Sequence, residues 1–274
     1  MAQKLKLLAV LAHPDDESLG FGGTLAKYAA EGVQTHLVTA TRGERGRFGS
    51  GQRPADPREV GRVREAELKA AAAMLGIQEV SILGYPDGAV DQIDAPTAIR
   101  EIAGHIRRIR PHVVVTFGPE GAYGHPDHIA ISQFTTAAII CASDAGYHIH
   151  NGSQATTLPA HRVSKLHYMA WRNDKWEAYQ AAFRTLTSMV DGVPRQATPW
   201  PDWAVTTEID TSAYWPAVWK AVCCHQTQIS IYERLGQLAE EQQKALWGSQ
   251  EFYRAYSTVN GGRKLETDLF EGLR

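Results

Sequence analysis

Apolar residues in the first half of the chain come in short continuous runs. Between the runs lie longer stretches in which apolar positions recur every three or four residues. The runs Lys6–Ala12, Val33–Ala40, Glu79–Leu83 and His112–Phe117 read as strands, and "HVVVTFG" has the unbroken β-branched character of a strand buried on both faces. The periodic stretches Ser18–Glu31, Pro57–Leu75, Ala95–Arg110 and Pro126–Cys141 read as helices. Gly32 and Gly76 stand where left-handed C-caps belong, and Pro111 halts the third helix. Strand–helix alternation of this kind predicts βαβ units and an α/β fold: a Rossmann-like, mostly parallel sheet with helices on both faces.

Past residue 160 the pattern weakens but continues. "RVSKLHYMAW" and "WAVTTEID" read as strands, and Asn173–Met189, Ser212–Thr227 and Ile231–Trp247 as helices. These pieces are expected to extend the same sheet. The chain is therefore read as one domain, residues 1–274, with a core over 1–142 and a C-terminal part, 160–274, that completes the sheet and the wall of the active site. Two long loops, 41–59 and 143–161, interrupt the pattern. The first is rich in Gly and Arg and follows the end of a strand, where open α/β sheets bind ligands.

Composition narrows the class. At 274 residues, 43% hydrophobic and 21% charged, the chain is long enough for a sizeable core and ordinary for a globular protein. A formal net charge of −2 gives no reason to expect nucleic acid as a partner. Cys141, Cys223 and Cys224 are a poor disulfide framework. The apolar N-terminal run breaks at His13 and reads as a strand rather than a signal peptide, and no run approaches the ~18 residues of a membrane span. A reduced, cytoplasmic protein with no membrane insertion is expected, a homo-oligomer being compatible with this.

Two clusters carry the chemistry. "HPDDESLGFGG" follows the first strand, and "GAYGHPDHIA" follows the fourth. As a dinucleotide fingerprint the first is weak. Seven residues separate Ala12 from Gly20, the third glycine position is Leu25, and Asp15, Asp16 and Glu17 would repel a pyrophosphate. Gly20, Gly22 and Gly23 instead suit close packing, so a nucleotide-binding oxidoreductase is the weaker alternative. A metal site explains more. In a parallel sheet both clusters lie on one edge, bringing together three histidines and three aspartates, a donor set suited to zinc.

These residues resemble the LmbE-like, or PIG-L, family of zinc-dependent N-deacetylases. The resemblance rests on "AHPDDESLGFGGTLA" and "GHPDH", with support from "TRGERG", "VREAELKAAAAMLGI", "GYPDG" and "KAVCCHQTQ". It covers most of the chain, though 143–200 carry no matching motif. It implies removal of an N-acetyl group from an amino-sugar conjugate of the GlcNAc-malate or GlcNAc-inositol type. It makes His13, Asp16 and His128 ligands of one Zn2+, with Fe2+ as the alternative metal, and Asp15 the general base. His125 and Tyr123 become catalytic, while Arg64, Asp87, Glu44 and His225 become substrate-binding. A related metal-dependent amidase of sugar-thiol conjugates is the alternative activity.

A water activated by zinc would attack the acetyl carbonyl while Asp15 takes its proton, and Tyr123 or His125 would stabilise the oxyanion. Either protonated His125 or Asp15 returning its proton would release the amine. Blander readings stand beside these: a loop aromatic for Tyr123, a solvated helix face paired with Glu65 or Glu67 for Arg64, and a core histidine for His225. Trp200 and Trp203 suit either a sugar platform or the core. Arg42, Arg45, Arg47 and Arg53 would suit an anionic aglycone.

Overall fold

The computed structural model describes residues 4–48, 56–149, 158–183, 187–190 and 192–274. Its first apolar run is strand β1 (Lys6–Leu11), buried from Leu7 onward. Each leucine or valine taken fully out of water there contributes about 1.5–3 kcal/mol, which is why this run lies at the centre of the sheet. Helices α1 (Asp16–Leu19) and α2 (Gly22–Ala30), strand β2 (Gln34–Thr39), α3 (Pro57–Met74), β3 (Glu79–Ile82), α4 (Ala95–Ile109) and β4 (Val113–Thr116) follow. A kinked turn, α5 (Gly121–Gly124), then leads into α6 (Pro126–Ser143). The second half adds β5 (Lys165–Met169), α7 (Asn173–Phe183), the hairpin β6 (Ser188–Val190) and β7 (Val193–Arg195), β8 (Thr207–Asp210), α8 (Trp215–Val222), α9 (Ile229–Gly236), α10 (Glu240–Trp247) and β9 (Ser249–Ser257).

Seven strands form one sheet in the order β3-β2-β1-β4-β5-β9-β8. Strands β1 to β5 are parallel, and β9 runs antiparallel between β5 and β8. The order grows outward from β1 in one direction to β3 and from β4 in the other. That reversal leaves a crevice beyond the C-terminal ends of β1 and β4. Helices α2 and α3 pack on α8, and α4 packs on α6, so both faces of the sheet are covered. Among the described residues no helix is long and apolar enough to cross a membrane.

Local signals hold where they are strong. Asp56 caps α3 by accepting from the Arg58 N–H at 3.0 Å, and Asp94 caps α4 through the Thr97 N–H at 3.0 Å. Such caps contribute about 1 kcal/mol each. Four expected helices differ, Ser212–Thr227 being trimmed to α8 (Trp215–Val222). The stretch 18–31 breaks into α1 and α2, because Phe21 turns its ring into the core against Phe117. The stretch 173–189 stops at Phe183, and Gly192, at φ 77, turns the following chain into the β6–β7 hairpin. The stretch 231–247 splits where the Gln242 side chain accepts from the Ala239 N–H at 2.9 Å and starts α10.

Strand β9 was not anticipated at all. It is held in place by a buried carboxylate. Glu266 accepts from Lys165 on β5 at 2.6 Å, Thr207 on β8 at 2.8 Å and Arg254 on β9 at 2.9 Å. The glycine cluster 20–23 serves packing, as expected. A Cβ on Gly23 would lie 2.7 Å from Thr211 Cβ, and one on Gly22 would lie 3.2 Å from Val218 on α8.

Candidate active site

The two aspartate-histidine clusters meet in the crevice between β1 and β4. His13 leaves the end of β1, Asp16 opens α1, and His128 sits in the first turn of α6. His13 Nδ1 lies 3.2 Å from His128 Nε2 and 3.7 Å from Asp16 Oδ2, while His128 Nε2 lies 3.4 Å from Asp16 Oδ1. A tetrahedral ion with ligands at about 2.0–2.1 Å places them about 3.3–3.4 Å apart. The separations of His128 Nε2 from His13 Nδ1 and from Asp16 Oδ1 match that spacing, while the 3.7 Å contact of His13 runs to the other Asp16 oxygen. Asp16 Oδ2 is already occupied by the N–H groups of His13 at 2.7 Å and Ala12 at 3.2 Å, which turns Oδ1 toward His128. The His128 ring is fixed by stacking on Phe117 at 4.0 Å.

A second layer orients the first. His13 Nε2 faces Asp127 Oδ2 at 3.0 Å and Asp87 Oδ1 at 3.2 Å. With the Nε2 proton directed at carboxylates, Nδ1 is the nitrogen left for an ion, as second-layer carboxylates commonly arrange. Asp127 is fully buried and takes two further N–H bonds, from Gly88 at 2.7 Å and Val90 at 3.0 Å. Burial opposes the charge on His13, but Asp127 and Asp87 outweigh it and raise its pKa to about 10. Burial likewise opposes charge on Asp87, yet His13 brings it down to about 2. Burial lifts Asp16 to about 7 and holds His128 neutral, well below its ordinary value.

Asp15 stands beside these donors on the cavity wall with φ 110, a left-handed conformation that costs a non-glycine residue of order 1–3 kcal/mol. Its Oδ2 accepts from Arg64 Nη2 at 2.9 Å and from the Tyr232 hydroxyl at 2.5 Å. His125 caps α6: its Nδ1 accepts from the Asp127 N–H at 3.2 Å, which leaves the ring proton on Nε2. Burial and the charge on His13 lower His125 to about 4. Tyr123 packs its ring on both His125 and His128, with centroids 6.0 and 5.3 Å apart.

The cleft around these groups measures about 840 Å³, within the range of small-molecule sites. Of the residues expected to bind substrate, Asp87 and Arg64 line it. Arg64 is, however, committed inward, to Asp15 and to the carbonyls of Pro14 at 2.5 Å and Gly43 at 2.8 Å. The other two do not line it. Glu44 packs its side chain against Gly61 on α3, and His225 is fully buried, paired with Glu17 at 2.8 Å. His225 takes the core reading because the carboxylate of Glu17, itself fully buried, requires a donor.

Of the loop arginines expected to supply positive charge, Arg45 is the one that lines the cleft among the described residues. Arg42 pairs with Glu65 at 2.9 Å, and Arg53 lies outside the described residues. The carboxylates Asp15, Asp16, Asp87, Asp91 and Asp127 outnumber the guanidinium groups of Arg45 and Arg64 in the lining. Trp200 stacks on Tyr253 and donates to Glu120, and Trp203 is 75% exposed; neither lines the cleft. Trp171 and Tyr179, stacked at 4.4 Å, form an apolar wall there instead. Asp127, Trp171, Tyr179 and Tyr232 received no role from the sequence. Only Asp127 carried a usable signal, as the acid of the second His-Pro-Asp.

Comparison with known proteins places this arrangement. A family model described as GlcNAc-PI de-N-acetylase, PIG-L, matches residues 8–139. A 1D-myo-inositol 2-acetamido-2-deoxy-alpha-D-glucopyranoside deacetylase of Streptomyces scabiei is 35% identical, the match covering 98% of this chain and 90% of that one. Among solved structures, the N,N'-diacetylchitobiose deacetylase of Pyrococcus horikoshii superposes with a TM-score of 0.66 at 18% identity, over 91% of this chain and 83% of that one. GalB, the 4-carboxy-2-hydroxymuconate hydratase of Pseudomonas putida KT2440, gives 0.65 at 20% identity, over 94% and 99%. Those two likenesses speak to the fold alone, and the fold evidently hosts more than one chemistry.

Proposed function

We propose, on the premise that this chain belongs to the PIG-L family of de-N-acetylases, that it is a zinc-dependent hydrolase of GlcNAc-inositol-type conjugates. The observation that carries this is the approach of His128 Nε2 to both His13 Nδ1, at 3.2 Å, and Asp16 Oδ1, at 3.4 Å, in the crevice between β1 and β4. These residues would hold the ion, which when bound supplies an acidified water and an electrophile for the acetyl carbonyl.

The chain's own groups do the rest. Asp15, with Oδ2 occupied by Arg64 and Tyr232, offers Oδ1 to the proton of the attacking water. His125, with its proton on Nε2, and the Tyr123 hydroxyl act as hydrogen-bond donors to the developing oxyanion. Asp15, having taken that proton, is then placed to return it to the departing amine. Trp171 and Tyr179 offer an apolar wall to the ring face of a sugar. The 35% identity to a deacetylase of the GlcNAc-inositol conjugate supports the inositol over the malate conjugate as substrate.

The test is direct. Zinc-loaded protein is expected to release acetate from GlcNAc-inositol with kcat/KM about tenfold or more above that for GlcNAc-malate. No acetate from any GlcNAc conjugate would remove the sugar reading, and faster turnover of the malate conjugate would overturn the preference for inositol.

A further inference from the structure

Asp15 is restrained from an unexpected direction. Tyr232, on α9, lies 217 positions further along the chain, is 4% exposed, and directs its hydroxyl at Asp15 Oδ2 from 2.5 Å. Arg64 reaches the same oxygen from α3, and its guanidinium is itself pinned by the Pro14 and Gly43 carbonyls. No protein group among the described residues bonds Asp15 Oδ1, which belongs to a side chain lining the cleft.

We propose that Tyr232 is a positioning residue for Asp15. Together with Arg64 it occupies Oδ2 from two directions, fixes the plane of the carboxylate, and presents Oδ1 alone to the cleft. One donor on one oxygen leaves a carboxylate free to swing about that bond; two donors anchored on separate helices do not. The requirement is sharp here because Asp15 sits in a strained backbone conformation, which persists only where its surroundings over-determine it.

The segment preceding Tyr232 is built for this task. Gln228 bonds Arg47 in both directions, at 3.3 Å through Oε1 and 2.7 Å through Nε2. Thr227 bonds Glu67 on α3 through its N–H at 2.8 Å and its hydroxyl at 2.7 Å. The start of α9 is thereby locked to the helix that carries Arg64, so the two donors keep a common frame.

This inference rests on the deacetylase reading for its kinetic arm only. In zinc-loaded Tyr232→Phe, kcat for GlcNAc-inositol is expected to fall about 10- to 100-fold with KM within about threefold, the loss of one hydrogen bond to a charged group. Zinc stoichiometry is expected to match the parent protein. In the Asp15→Asn background the same substitution is expected to cost nothing further in residual turnover, because it acts through Asp15. A crystal structure of Tyr232→Phe is expected to show the Asp15 carboxylate rotated or in two orientations. An unchanged kcat, an equal loss in the Asp15→Asn background, or an unmoved Asp15 would each overturn the proposal. If the parent protein releases no acetate from any conjugate, the deacetylase reading fails, while the Asp15 orientation in Tyr232→Phe still decides this inference.

Discussion

The sequence His-Pro-Asp occurs twice, after β1 and after β4, and the two copies sit differently. After β1 the histidine faces the donor cluster, and the aspartate adopts φ 110 at the cavity wall. After β4 the histidine has ordinary extended angles, φ −70 and ψ 125, and caps its own helix, with Pro126 in the first turn. The second aspartate reaches across to His13, and the histidine that follows it, His128, meets the donor cluster. Identical tripeptides thus take opposite parts. What decides is where each helix begins within its motif: α6 begins at Pro126, so the second motif is absorbed into a regular N-terminus, whereas α1 begins only at Asp16 and the first is spent on a strained turn.

The sharpest way to break this comparison is to remove the two histidines in turn. His13→Ala is expected to lose stoichiometric zinc and with it all measurable deacetylation. His125→Ala is expected to keep the metal and lose about 10²–10³-fold in kcat, the usual cost of a missing oxyanion donor. Zinc measured by elemental analysis on both variants settles it: loss from both, or from neither, would make the two motifs equivalent.

A smaller effect tests the link between them. Asp127→Asn keeps the shape of the side chain but removes the charge behind His13, and is expected to weaken zinc binding about 10- to 100-fold. Competition with a chelator reads this, and unaltered affinity would disconnect the second motif from the first.

The smallest effect concerns the pair that backs the first motif. Glu17 accepts from the Asp15 N–H at 2.9 Å and is held by His225. Burial opposes both charges, but each partner outweighs it: His225 is raised from 6.5 and Glu17 lowered from 4.5. A raised histidine stabilises fully below its ordinary value and loses that contribution as pH rises through its folded value. A lowered carboxylate stabilises above its ordinary value and loses it as pH falls. The pair therefore contributes most between 4.5 and 6.5. In His225→Gln, denaturant unfolding is expected to show a stability deficit of about 1–3 kcal/mol that shrinks as pH rises toward 9. A deficit that grows with pH would mean that His225 stands neutral in the parent protein.

Local order along the chain determined a good deal. The runs around β1, β2 and β4 are apolar enough to be buried wherever they pair, and their alternation with helices dictates a parallel sheet with helices on both faces. That order in turn places "HPDD" and "GHPDH" on one sheet edge, so a pool of three histidines and three aspartates could be named before any contact was known, while the choice of ligands among them came from the family resemblance. Tertiary structure decided what depends on partners distant along the chain. Strand β9 pairs with β5 and β8 across a buried Glu266 that no local pattern announces. Arg64 looked like a substrate contact, and His225 like either a substrate contact or a core histidine. Arg64 turns inward to Asp15 and His225 to Glu17, because a buried carboxylate takes the nearest available donor. Tyr232 became part of the site for the same reason. Which atoms must be satisfied follows from residue types alone; which groups satisfy them is settled only when the chain closes on itself.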